Sequence, residues 1–128
     1  MDQRTIVHTD RAPAAIGPYS QAVRFGNFVF TSGQIPLDLE GKLAGTDIRS
    51  QAKQALTNLG HILEEAGASF DSVVKTTCFL QDMADFASFN EVYAEFFRSN
   101  PARSCVAVKS LPKNVLCEVE AVAVTGQE

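Results

Sequence analysis

The spacing of apolar and polar positions changes several times along the chain, and each change predicts an element. Arg4 to His8 has the length and pattern of a short first strand. The stretch DRAPAAIGPYSQ then carries two prolines and a glycine, which predicts an irregular, partly extended loop. That loop delivers Tyr19 into a second strand, roughly Tyr19 to Phe25. Gly26-Asn27 has the chemistry of a tight hairpin turn, and the third strand, in FVFTSGQI, follows and ends in a Ser32-Gly33 pair. Pro36 to Gly45 reads as a loop. After Asp47, an N-cap residue, Ile48, Ala52, Ala55, Leu56, Leu59, Ile62, Leu63 and Ala66 recur by threes and fours until Gly67. This is an amphipathic helix.

SVVKTTCFL is rich in β-branched residues and reads as a fourth strand. Asp85 is expected to cap a second helix bearing an apolar stripe of Phe86, Phe89, Val92, Tyr93, Phe96 and Phe97, stopped by Asn100-Pro101. Two last strands, Arg103 to Lys109 and Leu116 to Thr125, are joined by SLPKN, which reads as a hairpin loop. The order β-β-β-α-β-α-β-β predicts one α+β domain over residues 1–128, with two helices on one face of a mostly antiparallel sheet. Several strands are apolar on both faces. In CEVEAVAV one face has Val119, Ala121 and Ala123, while the other has Glu118 and Glu120 followed by Val122 and Val124. Two helices cover one face only, so the second face needs another cover, and a further copy of the chain is the simplest one.

Composition narrows the partners. The net charge is −4 and the 11 basic residues are scattered, which argues against nucleic acid or an anionic membrane. No stretch has the length of a membrane span, and MDQRTIVHTDRAP has charges where a secretory signal needs an apolar run. Cys78, Cys105 and Cys117 are an odd number without a CxxC pair, which suits reduced thiols and a cytoplasmic setting.

The chemistry on offer is sparse. His8 and His61 lie far apart and nothing shows zinc-site spacing, so no metal is expected. There is no phosphate-binding loop or GxGxxG, so no nucleotide cofactor is expected either. Cys105 as a nucleophile needs a nearby base that the sequence does not place; its other reading is a small strand residue. Cys78 and Cys117 belong to the core. Glu118 and Glu120 share a strand face, as acid–base carboxylates or as a solvated edge. Tyr19 sits at a loop–strand junction, as core, rim or pocket. Gly33 lets a ligand approach backbone N–H groups, or merely ends a strand. Arg103 opens an otherwise apolar strand. It is either a wet rim residue or a planar fork held ready for a carboxylate.

Together, APAAIGPYSQAV, TSGQIP, VVKTTCFLQDMADFASFNEVYAEFF and PARSCVAVKSLPKNVLCEVEAVAV resemble the Rid family of reactive intermediate deaminases, the YjgF-type imine and enamine deaminases. The similarity is collinear from about Ala12 to Val124. It implies a chorismate-mutase-like fold assembled as a homotrimer, with the sheets turned inward as a closed barrel and the active sites in clefts between subunits. By the same resemblance Arg103 binds the substrate carboxylate and Glu118 holds or activates the attacking water, while Tyr19, Ser32, Gly33, Asn90 and Cys105 line the pocket. The implied reaction is cofactor-free hydrolysis of 2-iminobutanoate or 2-iminopropanoate, supplied by pyridoxal-phosphate dehydratases, to a 2-oxo acid and ammonia. The alternatives are a non-catalytic module binding 2-oxo or amino acids, and the translation-inhibitor, ribonuclease or chaperone roles of the older names. If SLPKN is a simple hairpin, Arg103 pairs near Val122 and Glu118 lies four residues along, roughly 13 Å away. One pocket then contains both only if it is elongated, if a bulge bends the strand, or if two subunits share it.

Overall fold

The computed structural model describes residues 3–125. Six strands form one sheet: β1 (Arg4–Val7), β2 (Ala22–Phe25), β3 (Phe28–Thr31), β4 (Val73–Leu80), β5 (Ala102–Ala107) and β6 (Cys117–Val124). The spatial order is β1-β2-β3-β6-β4-β5. Every pairing is antiparallel except that of β4 with β5. Two helices, α1 (Ile48–Glu65) and α2 (Phe86–Phe96), pack against each other, and α1 lies on the sheet over β6 and β3. The expected α+β architecture is therefore present.

Local chemistry accounts for the ends of α1. The Asp47 carboxylate accepts the Ser50 N–H at 3.0 Å, and Gly67 takes a left-handed φ of 88° just past the C-cap, a conformation that a Cβ disfavours. Leu56, Leu59, Ile62 and Leu63 are fully buried in a core shared with Val29, Val119, Ala123 and Phe89. Each such side chain stabilises the fold by roughly 1.5–3 kcal/mol relative to exposure. At α2 the cap differs from expectation. Asp85 occupies the N-cap position without a side-chain capping bond, and Asp82 accepts the Ala84 N–H at 2.9 Å one turn earlier. A short 3-10 turn, Met83–Asp85, thus precedes the helix, and the capping carboxylate moves back with it.

The third strand is shorter than FVFTSGQI suggests. It ends at Thr31, because the Ser32 hydroxyl donates to the Ser20 carbonyl at 2.6 Å and the chain rejoins the sheet only as an isolated bridge of Gln34 with Val119. The larger correction concerns SLPKN. β5 and β6 do not pair; β4 lies between them, and residues 108–116 pass across its end instead of closing a hairpin. The Val108 N–H donates to the Leu80 carbonyl, the Gln81 N–H donates to the Leu116 carbonyl, and buried Leu111 and Val115 pin the crossing. Adjacency in sequence misled here because β4, with apolar residues on both faces, is suited to a central position.

The two faces of the sheet differ in cover. Thr76, Cys78, Leu80, Cys117, Val119, Ala121 and Ala123 point under the helices and are buried. On the opposite face Phe25, Phe28 and Phe30 are 51%, 49% and 48% exposed, Ile6 and Val106 are also exposed, and half-buried Val122 and Val124 pair with Phe30 and Phe28. The face expected to need a cover is apolar and bare in the single chain. Among the described residues, no helix is long and apolar enough to cross a membrane.

Candidate active site

Arg103 is the register partner of Thr76, so its side chain emerges on the helix-covered face at the edge of the sheet. There it lies across one face of α2. Its Nη1 donates to Asn90 Oδ1 at 2.8 Å, and its guanidinium carbon stands 4.7 Å from the centre of the Tyr93 ring and 5.6 Å from that of Phe86. Among the described residues the ion pairs are His8–Asp10, Arg11–Glu64, Lys42–Glu40 and Arg49–Glu91, and none involves Arg103. The guanidinium is steered by a neutral amide and two rings, and no carboxylate of the described residues consumes its fork. Cys105, two residues on, faces the same way and is the register partner of Cys78. Burial raises the Cys105 thiol although Arg103 draws it down, and burial pushes Cys78 to about 12. Neither is a ready thiolate nucleophile.

Glu118 belongs to a second cluster. It lines a hollow of about 690 Å³ with Tyr19, Ser32, Gly33, Glu120 and Lys113, walled by Ile16, Ile35 and Pro112. Gly33 explains how the carboxylate sits there. A methyl group built on Gly33 would collide with Glu118 Oε2 and come within 3.0 Å of its Cγ, so only glycine leaves that space open. Burial raises the Glu118 carboxyl above its usual range, and the like charge of Glu120 adds to this. A carboxyl raised in this way holds its proton to higher pH than an exposed one and, once ionised, is the stronger base. Ser32 is fixed by its bond to the Ser20 carbonyl, and Tyr19 Oη accepts the Ile16 N–H at 3.4 Å, closing the loop over the hollow.

The named residues therefore fall into two groups. Arg103, Asn90 and Cys105 meet on the helix side, whereas Tyr19, Ser32, Gly33 and Glu118 meet on the bare side. Glu118 pairs with Phe79, three residues along β4 from Thr76, and β4 itself separates β5 from β6. The two groups are thus roughly 14 Å apart along the backbone and on opposite faces. The expected pairing of Arg103 near Val122 does not occur. A bulge exists on β4 between Val73 and Lys75, but it lies at the far end from Phe79 and does not unite them. Sequence reasoning overlooked Phe86 and Tyr93 as partners of Arg103, reading both only as members of the apolar stripe on the second helix. The available signal was Asn90 between them, a polar residue on the same helical face at spacings of four and three. Among the described residues, no group of three or more His, Cys, Asp or Glu is placed to hold a metal ion.

Known proteins match this chain closely. The sequence pattern of the family described as Endoribonuclease L-PSP covers residues 9–125. A RutC family protein of Pyrococcus abyssi is 52% identical over 122 residues, 94% of this chain and 96% of that protein. The human 2-iminobutanoate/2-iminopropanoate deaminase is 48% identical over 125 residues, 96% of this chain and 91% of that enzyme. The crystal structure of Escherichia coli TdcF with bound serine superposes with a TM-score of 0.90 at 46% identity, covering 95% of this chain and 99% of that one. With its fold, its motifs and nearly its whole length in common with these proteins, the chain belongs to the Endoribonuclease L-PSP family, that of the YjgF, RutC and Rid proteins.

Proposed function

We propose that this protein is a 2-iminobutanoate/2-iminopropanoate deaminase, and that its active site forms where the Arg103 face of one subunit meets the Glu118 hollow of another in a homotrimer. The observation that carries the reading is the Arg103 guanidinium, oriented by Asn90, Tyr93 and Phe86 with no acidic partner among the described residues. Such a fork fits a carboxylate bidentately. A small 2-imino acid carries that carboxylate next to an electrophilic C=N carbon. Clamping it leaves a water and a proton carrier to be supplied, and Glu118 is suited to both. Its carboxylate takes a proton as water adds to the carbon. It then returns that proton to nitrogen, so that the carbinolamine collapses to the 2-oxo acid and ammonia. No cofactor takes part, because the imine is already activated and orientation and electrostatics supply the acceleration. The apolar wall of Ile16, Ile35 and Pro112 suits a short alkyl side chain.

Four further facts favour this reading. The human relative bears the name of this deaminase, and TdcF binds serine, a small carboxylate ligand. The bare apolar sheet face gives subunits a reason to associate. The net charge of −4 tells against the ribonuclease that the family description names. Pyridoxal-phosphate dehydratases release the imines and are the source of substrate in the cytoplasm. The test is a coupled assay in which a threonine dehydratase generates 2-iminobutanoate and semicarbazide traps it. Wild type is expected to lower the yield of trapped adduct and Arg103→Ala to leave it unchanged. If neither protein alters the yield while both fold, the site is a binding site for 2-oxo or amino acids and not a catalytic one.

A further inference from the structure

We propose that Tyr93 is a positioning residue whose ring, tethered through Thr76, sets the direction of the Arg103 carboxylate clamp; this rests on the reading of Arg103 given above. Phe86, Asn90 and Tyr93 lie four and three residues apart, on one face of α2, and all three touch Arg103. The Tyr93 ring is the nearer of the two. It is buried, packed at 4.5 Å from the Phe97 ring and 5.9 Å from that of Phe89, so it has little freedom to tilt.

Its hydroxyl adds the third constraint. Tyr93 Oη and the hydroxyl of Thr76, a fully buried residue, are hydrogen-bonded at 2.7 Å. Thr76 is the residue of β4 that pairs with Arg103 in the sheet. The strand partner of the arginine therefore holds the ring on which its guanidinium rests, and the geometry closes from backbone register through hydroxyl and ring to the cation. A cation over an aromatic face is attracted by the ring quadrupole, and the attraction strengthens as water is excluded. Asn90 holds Nη1 at one edge of the fork, and Tyr93 lies against a flat face.

The test uses the full-length protein and reads carboxylate binding apart from catalysis. 2-Oxobutanoate is titrated calorimetrically into wild type, Tyr93→Phe and Tyr93→Leu, with kcat, KM and thermal midpoint measured on each. Tyr93→Phe keeps the ring and is expected to bind within about threefold of wild type, whereas Tyr93→Leu is expected to weaken binding by about tenfold, the middle of the range for a partly dry cation–ring contact. KM should rise in step, with kcat changed less than KM. If Tyr93→Leu does not fold, Phe86→Leu carries the same test, since it leaves the Tyr93–Thr76 bond intact, with an expected loss of about threefold. A folded leucine variant that binds as tightly as wild type overturns the proposal. So does equal weakening in Tyr93→Phe and Tyr93→Leu, which would assign the effect to the hydroxyl. Failure of wild type itself to bind 2-oxobutanoate overturns the carboxylate reading of Arg103, and this inference with it.

Discussion

At Glu118 two influences act in the same direction. Burial disfavours the charged carboxylate, and Glu120, on the same strand face, adds a like charge. If Glu118 is the base proposed above, it must be ionised to act, so activity is expected to fall as pH drops through a value above the ordinary 4.5. A pH profile of kcat/KM reads this limb. Glu120→Gln removes one of the two causes and is expected to move the limb to lower pH without abolishing turnover; an unmoved limb assigns the shift to burial alone. For stability the sign is opposite. A raised carboxyl favours the protonated folded state, so its contribution is complete at low pH and fades as pH rises through the raised value. Glu118→Gln itself is expected to lower kcat by about 10²-fold or more while 2-oxobutanoate still binds, since proton transfer by a positioned group contributes on that scale. Gly33→Ala offers an independent check. The added methyl displaces the Glu118 carboxylate, so kcat should fall far more than the thermal midpoint.

Single elements show what was legible in the sequence and what was not. The first helix was readable to its ends, because Asp47, the apolar three–four spacing and Gly67 each report local physics. The neighbours of β5 were not readable. Which strand lies beside it depends on what α2 and residues 108–116 must cross, and a nine-residue connection fits a hairpin and a crossing equally well. The same topology hid the division of the site, because Arg103 and Glu118 are assigned to faces only once β4 stands between them. Seen from sequence, the residues of the α2 stripe were alike. In the fold, part of it is core and part, Phe86 with Tyr93, is the support of a cation. Gly60 on α1 gives an element-scale expectation. Alanine would favour the helix by about 1 kcal/mol, but its methyl would lie 2.6 Å from the Phe70 ring, which is wedged edge-on against Phe96 and Phe97. Overpacking of this kind costs about 1–3 kcal/mol, so Gly60→Ala is expected to be the less stable protein in chemical denaturation.

At the scale of the whole molecule, the proposed sharing of one site between two subunits makes the assembly testable through activity. One chain directs Arg103 to the covered face of its sheet and Glu118 to the bare one, and no single chain brings them together. If each site takes Arg103 from one subunit and Glu118 from its neighbour, a chain lacking either residue is inactive only in company with its own kind. Arg103→Ala and Glu118→Gln proteins, each dissociated, mixed in equal amounts and allowed to reassociate, should then regain activity. In random trimers a site is intact when its arginine side comes from one variant and its glutamate side from the other, so recovery approaches about a quarter of wild type. Light scattering on the mixture should give the mass of three chains throughout. A charge placed on the bare face, as in Phe30→Glu, is expected to prevent reassociation and with it any recovery, because a trimer closed through that apolar surface would have to bury an unpaired carboxylate. Mixing that restores nothing, although trimers of both chains demonstrably form, would mean that the two clusters serve separate purposes and that Arg103 and Glu118 never share a substrate.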